Sequence, residues 1–184
     1  MKNIIFDMDG TILDSMEYWN NLGKDYLKSN NIAPPKDLNE IIEDMTMEES
    51  AKYFIEKLGL NKDVKTIVNE IYNLIEYEYE FVIEPKEDIK RIILKEYEKG
   101  TSMCILTTSG YNCAKKALKR IGLLKCFKKI LTSDMLKMSK RTKDIYLKTC
   151  EIMNYNINET IVYEDAPYAI KSAKEAGLKV VKVQ

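Results

Sequence analysis

The chain has 184 residues, and its 29 Lys and Arg balance its 29 Asp and Glu, so it carries no net charge to draw it to nucleic acid. With 45% hydrophobic residues it falls in the globular range, and its length allows one ordinary domain and a modest second one. It has no histidine, which excludes Ser-His-Asp and Cys-His triads and His-based zinc sites and leaves acid-base chemistry to carboxylates, Lys, Tyr or Cys.

No apolar run reaches membrane-spanning length, and the run after Met1 is too short for a signal peptide. The expectation is a cytoplasmic protein with no membrane partner. Cys104, Cys113, Cys126 and Cys150 form no CxxC pair, and reduced, space-filling thiols are expected.

In chain order, residues 3 to 6 read as a short buried strand. Residues 15 to 83 read as helical: an amphipathic helix over 16–30, a loop at Ala33-Pro34-Pro35, and a second helix over 38–44. Thr46 with Glu49 three residues on is a capping box, opening a helix that runs to Leu58 and stops at Gly59. A fourth helix is expected over 64–81. Its end, Glu76-Tyr77-Glu78-Tyr79-Glu80-Phe81, alternates with period two, but Ile67, Ile71, Leu74 and Ile75 lead into it with helical spacing. After Pro85 the expected order is helix 86–99, strand 103–106, helix 112–121, strand 129–131, helix 144–153, strand 160–163, helix 167–176 and strand 180–183. Short apolar strands alternating with helices predict a parallel sheet. The fold class is therefore α/β, a Rossmann-like core (1–14 and 84–184) with an inserted helical bundle (15–83).

Parallel sheets bind ligands at the carboxyl ends of their strands. Asp7, Asp9 and Thr11 follow the first strand, and Thr107, Thr108 and Ser109 the second. Thr132, Ser133 and Asp134, then Lys140, follow the third, and Glu164 and Asp165 the fourth. Asp7 and Asp9, two apart behind a strand, share one face. No Gly-rich dinucleotide fingerprint and no GxxxxGK[ST] loop is present.

The order DMDGT, ILTT, SKRTKDIYL, VYEDA resembles the haloacid dehalogenase-like hydrolase superfamily, over nearly the whole chain. The helical insert is similar to the small-cap subgroup of phosphoglycolate-type phosphatases and β-phosphoglucomutases. The resemblance implies an Mg²⁺-dependent phosphatase acting on a small phosphorylated metabolite. Asp7 would be the nucleophile, forming an aspartyl phosphate. Asp9 would protonate the leaving oxygen and then activate water. Asp7, Asp9 (through its carbonyl), Glu164 and Asp165 would hold the metal. Lys140 and Thr107 would bind phosphoryl oxygens, with Thr108 able to replace Thr107 after a one-residue shift. Gly10 would form the turn beneath the phosphate, braced by Thr11. The family's usual Lys-Pro is Lys140-Arg141 here, and Lys137, Arg141 and Lys143 compete with Lys140, but the spacing to Asp144-Ile145-Tyr146 favours Lys140.

Mutases that resemble the chain carry a base in a cap loop that grips a second phosphate. The matching residues, Glu43 to Glu48, are acidic and contain none. A phosphatase is favoured, with a β-phosphoglucomutase-like mutase and an inactive phospho-ligand binding protein as alternatives. Residues 15–83 hold 14 acidic and 7 basic residues. That excess suits a neutral or cationic leaving group, or it forms a solvated face. Tyr18 and Trp19 either stack on substrate or join the core. The expected partner is a small phosphorylated molecule, and the expected state is a monomer.

Overall fold

The computed structural model describes residues 3–42 and 45–184. The chain divides into two compact units. One joins the stretch up to Ser15 with Tyr79–Gln184, and the other is Met16–Glu78.

The first unit holds five parallel strands: β1 (Asn3–Phe6), β2 (Ser102–Thr107), β3 (Lys129–Thr132), β4 (Thr160–Glu164) and β5 (Lys179–Lys182), in the order β3-β2-β1-β4-β5. The register sets Phe6 opposite Ile105 on one side and Tyr163 on the other. Ile4, Ile5 and Phe6 are buried, as are Cys104, Ile105 and Leu106, because a parallel sheet is covered on both faces and its central strands read as unbroken apolar runs. The edge strand β5 instead exposes Lys179 and Lys182, charges that discourage pairing with another chain. One core layer packs Ile5, Leu106 and Val162 against Ile145, Tyr146 and Cys150 of a helix and Ala173 of the next.

The helices of this unit include α5 (Glu87–Glu98), α6 (Tyr111–Arg120), α7 (Ser133–Leu136), α8 (Asp144–Met153) and α9 (Pro167–Glu175), with short 3-10 turns at Leu124–Cys126 and Ile157–Glu159. The four-residue α7 and both 3-10 turns escape the sequence reading. Each is too short to display a period. The thirteen-atom ring of one helical turn needs no apolar stripe when a side chain starts it, as the Thr132 hydroxyl does by accepting from Met135 N–H at 3.1 Å.

The helical unit contains α1 (Met16–Ser29), α2 (Leu38–Ile42), α3 (Met47–Leu58) and most of α4 (Val64–Phe81). Tyr26, Leu27, Leu38, Ala51, Phe54, Leu60, Ile67 and Ile71 form its core. The expected capping box is present: Thr46 Oγ1 accepts from Glu49 N–H at 3.2 Å, and Glu49 Oε2 accepts from Thr46 N–H at 2.7 Å. Gly59 ends α3 at φ 75°, a left-handed conformation that favours glycine. Residues 76–81 are helical despite their period-two pattern. Ile67, Ile71, Ile75 and Tyr79 form an unbroken i, i+4 ladder of buried side chains, and that stripe decides the period. The expected boundary at 83/84 and the one at 78/79 differ because the last turn of α4 belongs to the sheet unit. The expected helix over 38–44 is described to Ile42, and Glu43 and Asp44 lie outside the described residues.

Candidate active site

β1 delivers Asp7 at the carboxyl end of the central strand, where its N–H donates to Tyr163 O at 2.9 Å. Gly10 follows with φ 76°, which lets the loop double back. The N–H groups of Ile12 and Leu13 both donate to Met8 O at 2.9 Å. The Gly10 N–H donates to Leu13 O at 3.0 Å and to Ser15 Oγ at 3.3 Å, so the loop itself uses that donor. Asp7 and Asp9 therefore stand on a turn closed by its own backbone.

The four bases between 137 and 143 differ in placement: Lys140 is buried, while Lys137, Arg141 and Lys143 are exposed. The Lys140 ammonium lies 2.6 Å from Asp7 Oδ1 and 2.5 Å from Glu164 Oε2. Glu164 Oε1 accepts from the N–H groups of Asp165 and Ala166, both at 3.2 Å, and Oε2 accepts from the Tyr146 hydroxyl at 3.4 Å. Thr11 donates to Asp165 Oδ1 at 3.4 Å. Carboxylate oxygens of Asp7, Glu164 and Asp165 all lie within 4.8 Å of one another.

Lys140 pairs with two carboxylates and Asp165 adds a third beside them, which leaves an excess of negative charge. Burial, the largest effect, pushes the Asp7 carboxyl well above the ordinary carboxylate range, and Glu164 and Asp9 push the same way against Lys140. Burial likewise raises Glu164. Lys140 is raised, because Asp7 and Glu164 together outweigh its desolvation. An all-oxygen set of this kind, short of positive charge, fits a hard divalent cation such as Mg²⁺.

The second aspartate is held differently. Asp9 Oδ1 accepts from Ser15 Oγ at 2.9 Å and from the Tyr79 hydroxyl, and Oδ2 accepts from Ser109 Oγ at 2.6 Å. Its side chain is thus engaged with hydroxyls, while the oxygens of Asp7, Glu164 and Asp165 face one another. Thr107 is buried at the end of β2, its Oγ1 accepting from Ser109 N–H at 3.0 Å, and Thr108 is exposed.

Sequence reasoning overlooks Tyr79 and Tyr146. A signal for Tyr79 does exist: a tyrosine that ends a buried apolar ladder must find a partner for its hydroxyl. Within the helical unit, Tyr18 and Trp19 are half-buried. Trp19 lines a cleft of about 570 Å³ with Met16, Met47 and Phe54, and Tyr18 lines a smaller acidic one with Glu17, Asp25 and Glu78.

A family model described as haloacid dehalogenase-like hydrolase matches residues 4–183. The chain is 21% identical to a phosphorylated carbohydrates phosphatase of Thermotoga maritima, over 97% of this chain and 83% of that protein. It is 26% identical to the beta-phosphoglucomutase of Bacillus subtilis, over 100% of this chain and 83% of that one. The fold matches a crystal structure of a family IA, variant 3 hydrolase from Entamoeba histolytica with a TM-score of 0.81, at 22% identity, covering 99% of this chain and 83% of that one. Matched along almost its whole length, with the sheet order and acidic strand exits just described, the chain belongs to the haloacid dehalogenase-like hydrolases.

Proposed function

We propose that the protein is an Mg²⁺-dependent phosphatase that hydrolyses a small phosphate monoester through an aspartyl phosphate. The observation that carries this reading is the Asp7–Lys140–Glu164 arrangement beside Asp165: a buried carboxylate at a strand end, held by one ammonium, in a cluster still short of positive charge. Asp7, Glu164, Asp165 and the Asp9 carbonyl would hold Mg²⁺, whose charge would keep Asp7 ionised and offset repulsion from the phosphate dianion.

An Asp7 oxygen forms a bond to phosphorus as the bond from phosphorus to the leaving oxygen breaks, and Asp9 gives that oxygen its proton. Asp9, now ionised, takes a proton from water. The water oxygen bonds to phosphorus, the bond to Asp7 breaks, and inorganic phosphate leaves. Lys140 and the Thr107 hydroxyl stabilise the phosphoryl oxygens, with Thr108 beside them and Gly10 shaping the turn. Acid-base help of this kind is worth about 10² to 10⁴ in rate.

A phosphatase is favoured over a mutase because residues 43–48 supply no base for a second phosphate, although Glu43 and Asp44 lie outside the described residues. The acidic excess of residues 15–83 favours a monoester whose leaving group is neutral or cationic, such as a sugar, an amino alcohol or a nucleoside. The test is phosphate release from a panel of phosphorylated metabolites with Mg²⁺ and with EDTA, using Asp7→Asn as control. Metal-dependent release that vanishes in the variant is expected. A folded wild-type protein that releases phosphate from no monoester would overturn the reading, and turnover only after priming by a sugar bisphosphate would favour the mutase.

A further inference from the structure

We infer that Tyr79 is a positioning residue for phosphoryl transfer, acting through Asp9 together with Ser109; the inference rests on the acid-base role proposed for Asp9. Tyr79 is fully buried, yet its hydroxyl reaches two polar atoms: it donates to Asp9 Oδ1 and lies 3.0 Å from Ser109 Oγ. Ser109 donates to the other Asp9 oxygen at 2.6 Å. The two hydroxyls therefore grip both ends of one carboxyl group and touch each other, forming a closed triangle. Ser15 Oγ also donates to Oδ1, at 2.9 Å, so three hydroxyls hold the carboxyl, and Tyr79 is the donor on Oδ1 that also touches Ser109, the donor on Oδ2.

The backbone around the triangle is also anchored. Arg120 of α6 donates through Nε to Tyr79 O at 3.4 Å, also donates to Ile83 O, and pairs with Glu84 at 3.1 Å. Lys116, one turn earlier on α6, pairs with Glu80 at 2.7 Å. Ser109 and Gly110 lead directly into α6. One helix thus fixes both hydroxyl-bearing residues relative to each other. Neither contact is needed to end α4 or to fill the core, since phenylalanine would fill the same space. The hydroxyl itself is directed at Asp9.

Orienting the carboxyl matters most where its proton is most needed. An alkoxide leaving group requires protonation as its bond breaks, whereas a nitrophenoxide does not. The ratio of kcat/KM for 4-nitrobenzyl phosphate to that for 4-nitrophenyl phosphate therefore reads the acid step, because kcat/KM stops at the first irreversible transfer to Asp7 and the two probes are nearly the same size. The experiment measures this ratio for the wild type, Tyr79→Phe, Ser109→Ala and Asp9→Asn. Tyr79→Phe is expected to lower kcat/KM for the benzyl ester by about tenfold or more and to leave the phenyl ester within about threefold, with Ser109→Ala moving the ratio the same way and Asp9→Asn moving it furthest. Equal loss on both esters, or no loss, in Tyr79→Phe would overturn the inference. Should that variant fail to fold, the Ser109→Ala ratio decides. A wild type that cleaves neither these esters nor any monoester of the metabolite panel, or an Asp9→Asn variant with an unchanged ratio, would mean that the proposed function itself had failed.

Discussion

The Lys140 ammonium stands 2.5 Å from Glu164 Oε2, and both residues are almost completely buried. The pair, with Asp7 2.6 Å from the same ammonium, places three ionisable groups where charge is costly unless matched. Lys140→Met removes the only cation that touches both carboxylates among the described contacts. We expect a loss of stability of about 3–5 kcal/mol at neutral pH without divalent cation. The sign of its pH dependence follows from burial. Carboxyls left unpaired have folded pKa values above their unfolded ones, so their contribution is favourable below the unfolded range and is lost as pH rises. The deficit should therefore be smaller at about pH 5 than at about pH 8 in urea titrations.

Divalent metal should act in the opposite direction. Mg²⁺ at about 100 times its dissociation constant is expected to stabilise the folded protein by about 2.7 kcal/mol, read as a thermal shift that EDTA reverses. Asp165→Asn, which removes one charge from the carboxylate cluster, should shrink the shift at a fixed Mg²⁺ concentration without abolishing folding.

Thr46→Ala removes half of the capping box at the start of α3. The expected cost is about 1 kcal/mol in urea unfolding, while Thr46→Ser, which keeps the hydroxyl, should stay within a few tenths.

In the helical unit, Glu70 Oε2 accepts from Lys62 at 2.6 Å and from the Tyr26 hydroxyl at 2.7 Å. The hydrogen bond from Lys62, then that from Tyr26, holds the Glu70 carboxyl below its ordinary range. A lowered folded pKa contributes stability that is complete above the unfolded pKa and is lost as pH falls through the folded value. Glu70→Gln should therefore cost stability at about pH 7, by no more than about 1 kcal/mol because the pair is partly solvated, and the difference should shrink as pH falls below the ordinary carboxylate range.

Cys104, Cys126 and Cys150 are buried, and burial raises all three thiols, Cys150 to about 11. Cys113 is half-buried. Alkylation at about pH 8 followed by mass spectrometry should label Cys113 first and the other three only on unfolding. Early labelling of Cys104 or Cys150 would contradict the packing described.

Much of this fold can be read from local chemistry. The boundaries of α8, the reciprocal cap at Thr46 and the stop at Gly59 are set by residues within a few positions of each other, and such signals survive in one dimension. Strand placements are right to within a residue or two, because buried parallel strands announce themselves as apolar runs. The polar strand exits also point to one edge of the sheet. The choice among neighbouring bases is less legible. Lys137, Lys140, Arg141 and Lys143 are alike in composition, and only the spacing of Lys140 to Asp144-Ile145-Tyr146 favours it in sequence, while the burial of Lys140 against Asp7 is seen only in the fold. Tyr79 is still harder, since its hydroxyl meets residues 9 and 109 only after α4, β1 and β2 have met.

The sheet order has a consequence for how the protein is made. β1 is synthesised early, yet its neighbours in the finished sheet are β2 and β4, and the carboxylate that shares Lys140 with Asp7 sits on β4. A nascent chain carries the aspartate pair long before it carries the groups that neutralise it. Until β4 docks, Glu164 has not joined Asp7 and Lys140, and the cluster at the strand exits is incomplete. The acidic cluster is therefore completed late in translation, when the last central strand takes its place beside β1.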